Sequence, residues 1–497
     1  LTGSAQEGKQ LVQTALDAVE QQLPTQRQLF VALLTTQAGL LRRIGLDDEA
    51  GVALEQASQH IQPEELEAKA AVLLQKGRML HNQKDYAEAT EQLAEALALA
   101  GQAGWRFGQR SAQLALAHVY RYLGQFEQAE ENARCALALA RLAGNQHHEG
   151  ESLYLLAMIT DDRGEFAVAS DYGDEALALI EALGNQRLRA AILSTMSLNQ
   201  NSLGHFDRAK SLAEQALQIN RQMGDEMQIG RQLNNLGLLA MNLGNLVEAK
   251  SYYEQSLAVD RRLGSYLKQG VVLGNLGDVA MSMGDFFQAE AYYEAGMAIR
   301  REVEDLRGVA WMLCSLSLLA GKRERYEAGV GLGKEALAVL DVTKEQAKMG
   351  YAWTHLGHAY SGLGQLEEAK VAYKTGLAVR RELGQGHLTV VNVAGLAEIA
   401  LWQNDLSLAE QLANRLLSRI ERGELGGTRE SGRVAWSCYQ VLARLGDGRK
   451  VGVLETAVSQ IQAVAQRIRN KNQRRDYLNN VLTHRHLLAA ATALTHT

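Results

Sequence analysis

Few side chains in this sequence stand at spacings that could do chemistry. His355 and His358 share a helix face at i, i+3, as two imidazoles holding a metal ion would. No Cys or carboxylate series nearby completes a ligand set, so no metal is expected. Gly329–Lys334 reads GVGLGK, but a phosphate-cradling loop needs a glycine five residues before Gly333 and a Ser or Thr after the lysine. Ala328 and Glu335 stand there, inside a helical stretch. Cys135, Cys314 and Cys438 have no catalytic partner nearby and read as core. With neither a nucleophile beside a base nor paired carboxylates, the chain is read as no enzyme and as needing no cofactor.

The remaining candidates are groups that hold rather than react. Asn235 and Asn275 are amides 40 residues apart. An amide both donates and accepts, which suits a peptide backbone, although the same residues serve equally as solvated polar positions. Trp311, Tyr351 and Trp402 are rigid aromatics, which either anchor a ligand or fill space between helices. His147-His148 and His484-Arg485-His486 read as exposed surface. The basic run Arg467, Arg469, Lys471, Arg474 and Arg475 reads as a solvated face, with docking to another domain as the alternative.

The elements that must position these groups follow from one period. Ala89, Ala129, Ala169, Ala209, Ala249, Ala289, Ala369 and Ala409 recur on a 40-residue spacing, with Gly329 filling the gap and Ala50 one residue out of step. Five residues earlier stands Gly45, Gly124, Gly164, Gly204, Gly244, Gly284 or Gly364, with Lys84, Glu324 and Asn404 in the other copies. A second series, Gly104, Gly144, Gly184, Gly224, Gly264 and Gly384, ends the second helix of each unit as C-caps. A fixed period of this size marks a solenoid in which each unit buries its apolar face against its neighbours. One elongated body is expected rather than separate domains.

Composition agrees. Only Pro24 and Pro63 could break a helix. A net charge of −6 over 497 residues gives no electrostatic footprint for nucleic acid. Three sparse cysteines fit a reducing, cytoplasmic setting, and no apolar run is long enough for a membrane span. Because the sequence opens on the second helix of a repeat, a longer parent protein is expected.

LNNLGLLAMNLGNLVEAKSYYEQSL, within residues 227–264, resembles the tetratricopeptide repeat at nearly every position. The unit is 40 residues rather than the usual 34 or so, and the proline that normally follows the second helix is missing. The resemblance implies an all-α, right-handed superhelix of about eleven helical hairpins with capping helices. Residues 1–25 would be the second helix of a truncated repeat, 26–427 ten repeats, 428–469 a degenerate eleventh, and 470–497 a capping helix over about 472–493.

In this family the first helix of each hairpin, helix A, lines a concave groove. By register the groove-facing residues include Asn201, Arg231, Asn234, Asn235, Asn275, Asp278, Trp311, Tyr351, His355, His358, Glu398 and Trp402, with Arg121, Tyr122, Tyr154 and Met158 nearer the N-terminus. An asparagine at the place of Asn235 bonds the main chain of an extended peptide in family members. The phrases SLAVDRRLG, GMAIRREVED and GLAVRRELGQ are similar to the repeats of STAND-class signalling NTPases and MalT-like activators. That likeness implies a sensor domain binding a peptide, protein or small-molecule inducer, with an NTPase module N-terminal to it in the full-length protein. The alternative is a constitutive scaffold of the kinesin light chain or Pins type, binding an extended peptide or partner protein.

Overall fold

The computed structural model describes residues 2–20, 23–422, 425 and 430–495. Among these all regular structure is helical, with no strand. They form two compact units, residues 1–225 and 226–497, where the unbroken repeat predicts one continuous body.

The first unit contains α1 (Thr2–Glu20), α2 (Leu23–Arg43), α3 (Asp47–Gln59), α4 (Leu66–Asn82), α5 (Tyr86–Gln102), α6 (Arg106–Tyr122), α7 (Phe126–Leu142), α8 (Gln146–Asp162), α9 (Phe166–Ala182), α10 (Gln186–Ser202) and α11 (Phe206–Met223). The second contains α12 (Glu226–Asn242), α13 (Leu246–Arg262), α14 (Tyr266–Ser282), α15 (Phe286–Glu302), α16 (Leu306–Lys322), α17 (Tyr326–Thr343), α18 (Gln346–Gly362), α19 (Leu366–Glu382), α20 (Thr389–Trp402) and α21 (Leu406–Glu421). It ends with α22 (Ser431–Arg444), α23 (Lys450–Arg467), α24 (Lys471–Asn479) and α25 (Leu482–Thr495). Hairpins run from α2–α3 through α22–α23, the even-numbered helix being helix A and the odd-numbered one helix B.

Each hairpin turn rests on one left-handed residue. Gly124 has φ +73°, its N–H bonds Arg121 O, and the next N–H reaches Tyr120 O. Lys84, Glu324 and Asn404 adopt the same conformation, with φ +66°, +58° and +58°, and bear its Cβ strain. Asp85, Asp285 and Asp405 cap the helix that follows with a side-chain oxygen.

Helices A and B cross at a site of fixed volume. A Cβ on Gly237 would lie 2.5 Å from Tyr253, and one on Gly357 2.5 Å from Tyr373; Gly277 meets Tyr293 in the same way. Where helix A instead carries Ala117, Ser197 or Ala397, helix B carries Ala133, Ala213 or Ala413 sixteen residues on. Ser197 and Ser317 use their hydroxyls as well, each donating at 2.7 Å to the carbonyl at the alanine position, Ala209 and Gly329. GVGLGK thus lies inside α17, with Gly329 and Gly333 buried.

Several details differ from expectation. The stretch 1–25, expected as one helix, holds α1 (Thr2–Glu20) and the start of α2 at Leu23. The capping segment is two helices, because the chain leaves the helix at Asn480–Val481. Cys314 and Cys438 are core, and burial pushes each thiol up to about 12, whereas Cys135 is exposed. On α7 it is Ala133, Ala136, Leu137 and Ala140 that turn inward.

The C-terminal helices of the second unit fold back on its first two turns. Arg467 Nη1 donates to Leu243 O at 2.8 Å and Asn245 Oδ1 at 2.7 Å. Asn480 Nδ2 donates to Gly284 O at 3.0 Å, and Val464 packs at Gly244. Part of the basic run therefore clasps its own unit. Leu246 and Met283 are buried in one apolar cluster with Leu442, Leu454 and Tyr477.

Replacing Gly237 by Ala is expected to lower stability by about 1–3 kcal/mol through overpacking on Tyr253. Adding Tyr253→Ala should recreate the Ala117/Ala133 pairing, so the double variant should lose less than the sum of the single losses. Urea unfolding of the four proteins in a double-mutant cycle checks this, and strict additivity would refute the shared-volume account.

Candidate functional site

The inner faces of helices A in the second unit bring together most of the sequence-predicted residues. Asn275 Nδ2 donates to Asn234 Oδ1 at 2.8 Å, so α12 and α14 are joined amide to amide. Asn235, one residue on, is 9% exposed, and its Nδ2 is buried with no acceptor among the described residues. A buried donor left unpaired costs about 1–3 kcal/mol. Asp278 is buried and accepts a 2.8 Å bond from Tyr293 Oη of its own hairpin. Arg231 is exposed at the edge of this face.

Further along, Trp311 and Tyr351 meet edge to face at 5.2 Å, and the Arg380 guanidinium lies 4.3 Å from the centre of the Tyr351 ring. His355 Nδ1 donates to Cys314 O at 2.9 Å, and burial pushes its imidazole down to about 3, so it is neutral at pH 7. Trp402 is 52% exposed at the end of α20 and makes no ring contact among the described residues. Asn201 lies half-buried in the first unit.

His358 belongs to a buried polar network that the sequence does not announce. Its Nδ1 accepts from Tyr373 Oη at 2.8 Å and its Nε2 donates to Glu430 Oε2 at 3.0 Å. Arg433 Nη2 donates to Tyr373 Oη at 3.2 Å and to Glu398 Oε2 at 2.6 Å, while Ser437 Oγ donates to Glu398 Oε1. Lys322 lies 3.8 Å from Glu430. Burial alone would raise the Glu430 carboxyl, but His358, Lys322 and Arg433 outweigh it and hold it well below the ordinary glutamate range. Burial likewise keeps His358 below its usual value, with Arg433 adding to the effect.

The first unit holds a further group. One ligand atom each from His147, His148 and Glu151 lie within 4.8 Å of one another. His147 Nε2 is already 2.9 Å from Asn185 Nδ2, and Glu151 is paired with Arg110 at 3.2 Å. A cation there would face the Arg110 guanidinium.

Models of the tetratricopeptide repeat match residues 70–103, 109–182, 233–262, 269–341 and 350–382. Tetratricopeptide repeats thus occur in both units of the chain. It is similar to the regulatory protein AfsR of Streptomyces coelicolor, 34% identical over 82 residues, which is 16% of this chain and 8% of that protein's length. Among solved structures it resembles a Rap protein complexed with Competence and Sporulation Factor, at 15% identity and TM-score 0.54, covering 71% of this chain and 98% of that one. It also resembles the apo quorum sensor NprR from B. thuringiensis, at 15% identity and TM-score 0.54, covering 73% and 99%. A third likeness is to a signal transduction ATPase with numerous domains, carrying a tetratricopeptide repeat sensor, from Pyrococcus horikoshii. That match has 14% identity and TM-score 0.50 and covers 70% of this chain and 55% of the ATPase. At such identities the likeness is one of fold. No described helix is long and apolar enough to cross a membrane.

Glu430→Gln is expected to cost about 3–5 kcal/mol at pH 7, because Lys322 and Arg433 then lose a buried counter-charge. A carboxyl whose folded value is depressed adds stability above its unfolded value, near 4.5 here, and loses it as pH falls through the folded value. The gap between wild type and variant should therefore narrow below about pH 4.5, which chemical unfolding at pH 7 and pH 4 checks.

Proposed function

We propose that this chain is the inducer-binding sensor of a larger STAND-type signalling NTPase and works by binding rather than by catalysis. The observation that carries the reading is Asn235. It is an amide whose Nδ2 is buried without an acceptor among the described residues, beside the Asn234–Asn275 bond, in a unit whose later A helices, α16 and α18, carry the Trp311–Tyr351 pair. A ligand carbonyl reaching Nδ2 recovers the cost of that unpaired donor, and the aromatic pair offers rigid apolar surface. The AfsR stretch and the fold of the Pyrococcus ATPase sensor support the signalling context. An inducer would shift the full-length protein between states by binding one of them more tightly.

A thermal-shift screen of this chain against sugars, nucleotides, peptides and candidate proteins tests it. A ligand at ~100 times its dissociation constant should add about 2.7 kcal/mol. Asn235→Ala should leave the ligand-free protein as stable or more stable while weakening that ligand at least about tenfold, roughly one charge-neutral hydrogen bond. Binding of a partner protein alone, with no small ligand sensitive to Asn235 or Trp311, would replace the sensor with a constitutive scaffold.

A further inference from the structure

The first unit carries positive charge on the inner ends of three successive A helices, and much of it is unpaired. Arg42 on α2 makes no hydrogen bond or ion pair among the described residues, and its Nε is buried. Residues 1–6 and 21–25, whose side chains lie outside the description, contain no acid. Among the described residues Arg78 on α4 has a single long hydrogen bond, 3.5 Å from Nη2 to Ser111 O on α6. Its guanidinium is pushed down to about 10, first by burial and then by the charges of Arg42, Arg110 and Arg43. The acids that face this group are few. Glu151 is paired with Arg110 at 3.2 Å, Asp162 with Arg121 at 2.5 Å, and Asp47 is a minor influence on Arg42.

The flanking groups are donors and rings. Burial lowers both His81 and His118, the latter to about 3, with Arg121 contributing to each, so both are neutral at pH 7. His81 Nε2 is buried and unpartnered. His81 meets Tyr122 edge to face at 5.0 Å, and Tyr122 lies stacked on Tyr86 at 5.9 Å while remaining 57% exposed.

Two half-buried guanidiniums with no ion pair among the described residues are costly to hold together, and a guanidinium fork matches the paired oxygens of a carboxylate or phosphoryl group. We propose that Arg42 and Arg78, with His81 beside them, form a receiving site for an oxyanion, a phosphoryl or carboxylate group. This site lies on the first unit and is independent of the amide site proposed in the second.

The test is scanning fluorimetry of the full chain at fixed ionic strength, with sodium chloride exchanged stepwise for sodium phosphate or sodium citrate. At least one probe should raise the melting temperature and saturate. Phosphate alone assigns a phosphoryl group, citrate alone a carboxylate. Arg42→Gln and Arg78→Gln should each raise the half-saturating concentration at least tenfold, with Arg78→Lys intermediate and Arg121→Gln, whose partner is Asp162, close to wild type. Without either probe, Arg78→Gln should melt no lower than wild type, because an unpaired buried charge has been removed; a purely structural arginine would melt lower. No saturable shift with either probe up to tens of millimolar overturns the site, as does a shift that both glutamine variants retain.

Discussion

The whole chain depends on how closely helices A and B approach each other where they cross. From hairpin to hairpin the side chains at the crossing trade size against one another. Gly237 makes room for Tyr253, Gly277 for Tyr293 and Gly357 for Tyr373. Where helix A has Ala or Ser, helix B shrinks to Ala or Gly, and the next repeat's knob enters, as Met196 does at Gly173 and Leu356 at Gly333. Interiors packed to crystal-like density tolerate neither excess nor void, so the two positions must vary together. The hydroxyls of Ser197 and Ser317 show a third solution, bonding a helix B carbonyl across the same gap.

Because the crossing and the turn hold each hairpin together, the inner face of helix A is left open to other chemistry. In the second unit it runs from amides on α12 and α14 to rings on α16 and α18, then to the ionic network joining α18, α20 and α22. A single position in the last turn of helix B illustrates the freedom: Asp260, Arg300 and Arg380 stand 40 residues apart or multiples of it, all buried. A helix C-terminus favours cations. Arg300 pairs with Asp305 and Arg380 lies over Tyr351, whereas the Asp260 carboxyl is raised by burial, with Lys268 opposing.

The hairpins and their inner faces were legible because both follow from one period, and neighbours in a solenoid are neighbours in sequence. The Asn234–Asn275, Tyr154–Thr195 and Cys314–His355 contacts all join residues 41 apart, one repeat plus one. What escaped was whatever breaks that rule. Glu430 reaches His358 from 72 residues away, out of the segment joining α21 to α22, where no register exists. The unpaired Arg42 and Arg78 were hidden for a different reason: charge on a helix face says nothing of whether an acid from the next helix meets it. Cys135 shows the register's own limit, since a periodic helix still has an outward side.

The clasp in the second unit changes what a repeat array ordinarily is. When each hairpin touches only its neighbours, stability adds up locally and the ends fray independently. Here Arg467 and Asn480 bond turns more than 190 residues earlier, and Val464 closes over Gly244. The turns they reach, after α12 and α14, belong to the hairpins that carry Asn235 and Asn275. Displacing α23 and α24 uncovers Leu246 and Met283 and leaves the Gly284 carbonyl unbonded by Asn480, so the amide-bearing hairpins and the C-terminal helices lose contacts together. An inner-face amide and a C-terminal helix, far apart in sequence, are thereby set on the same two supports.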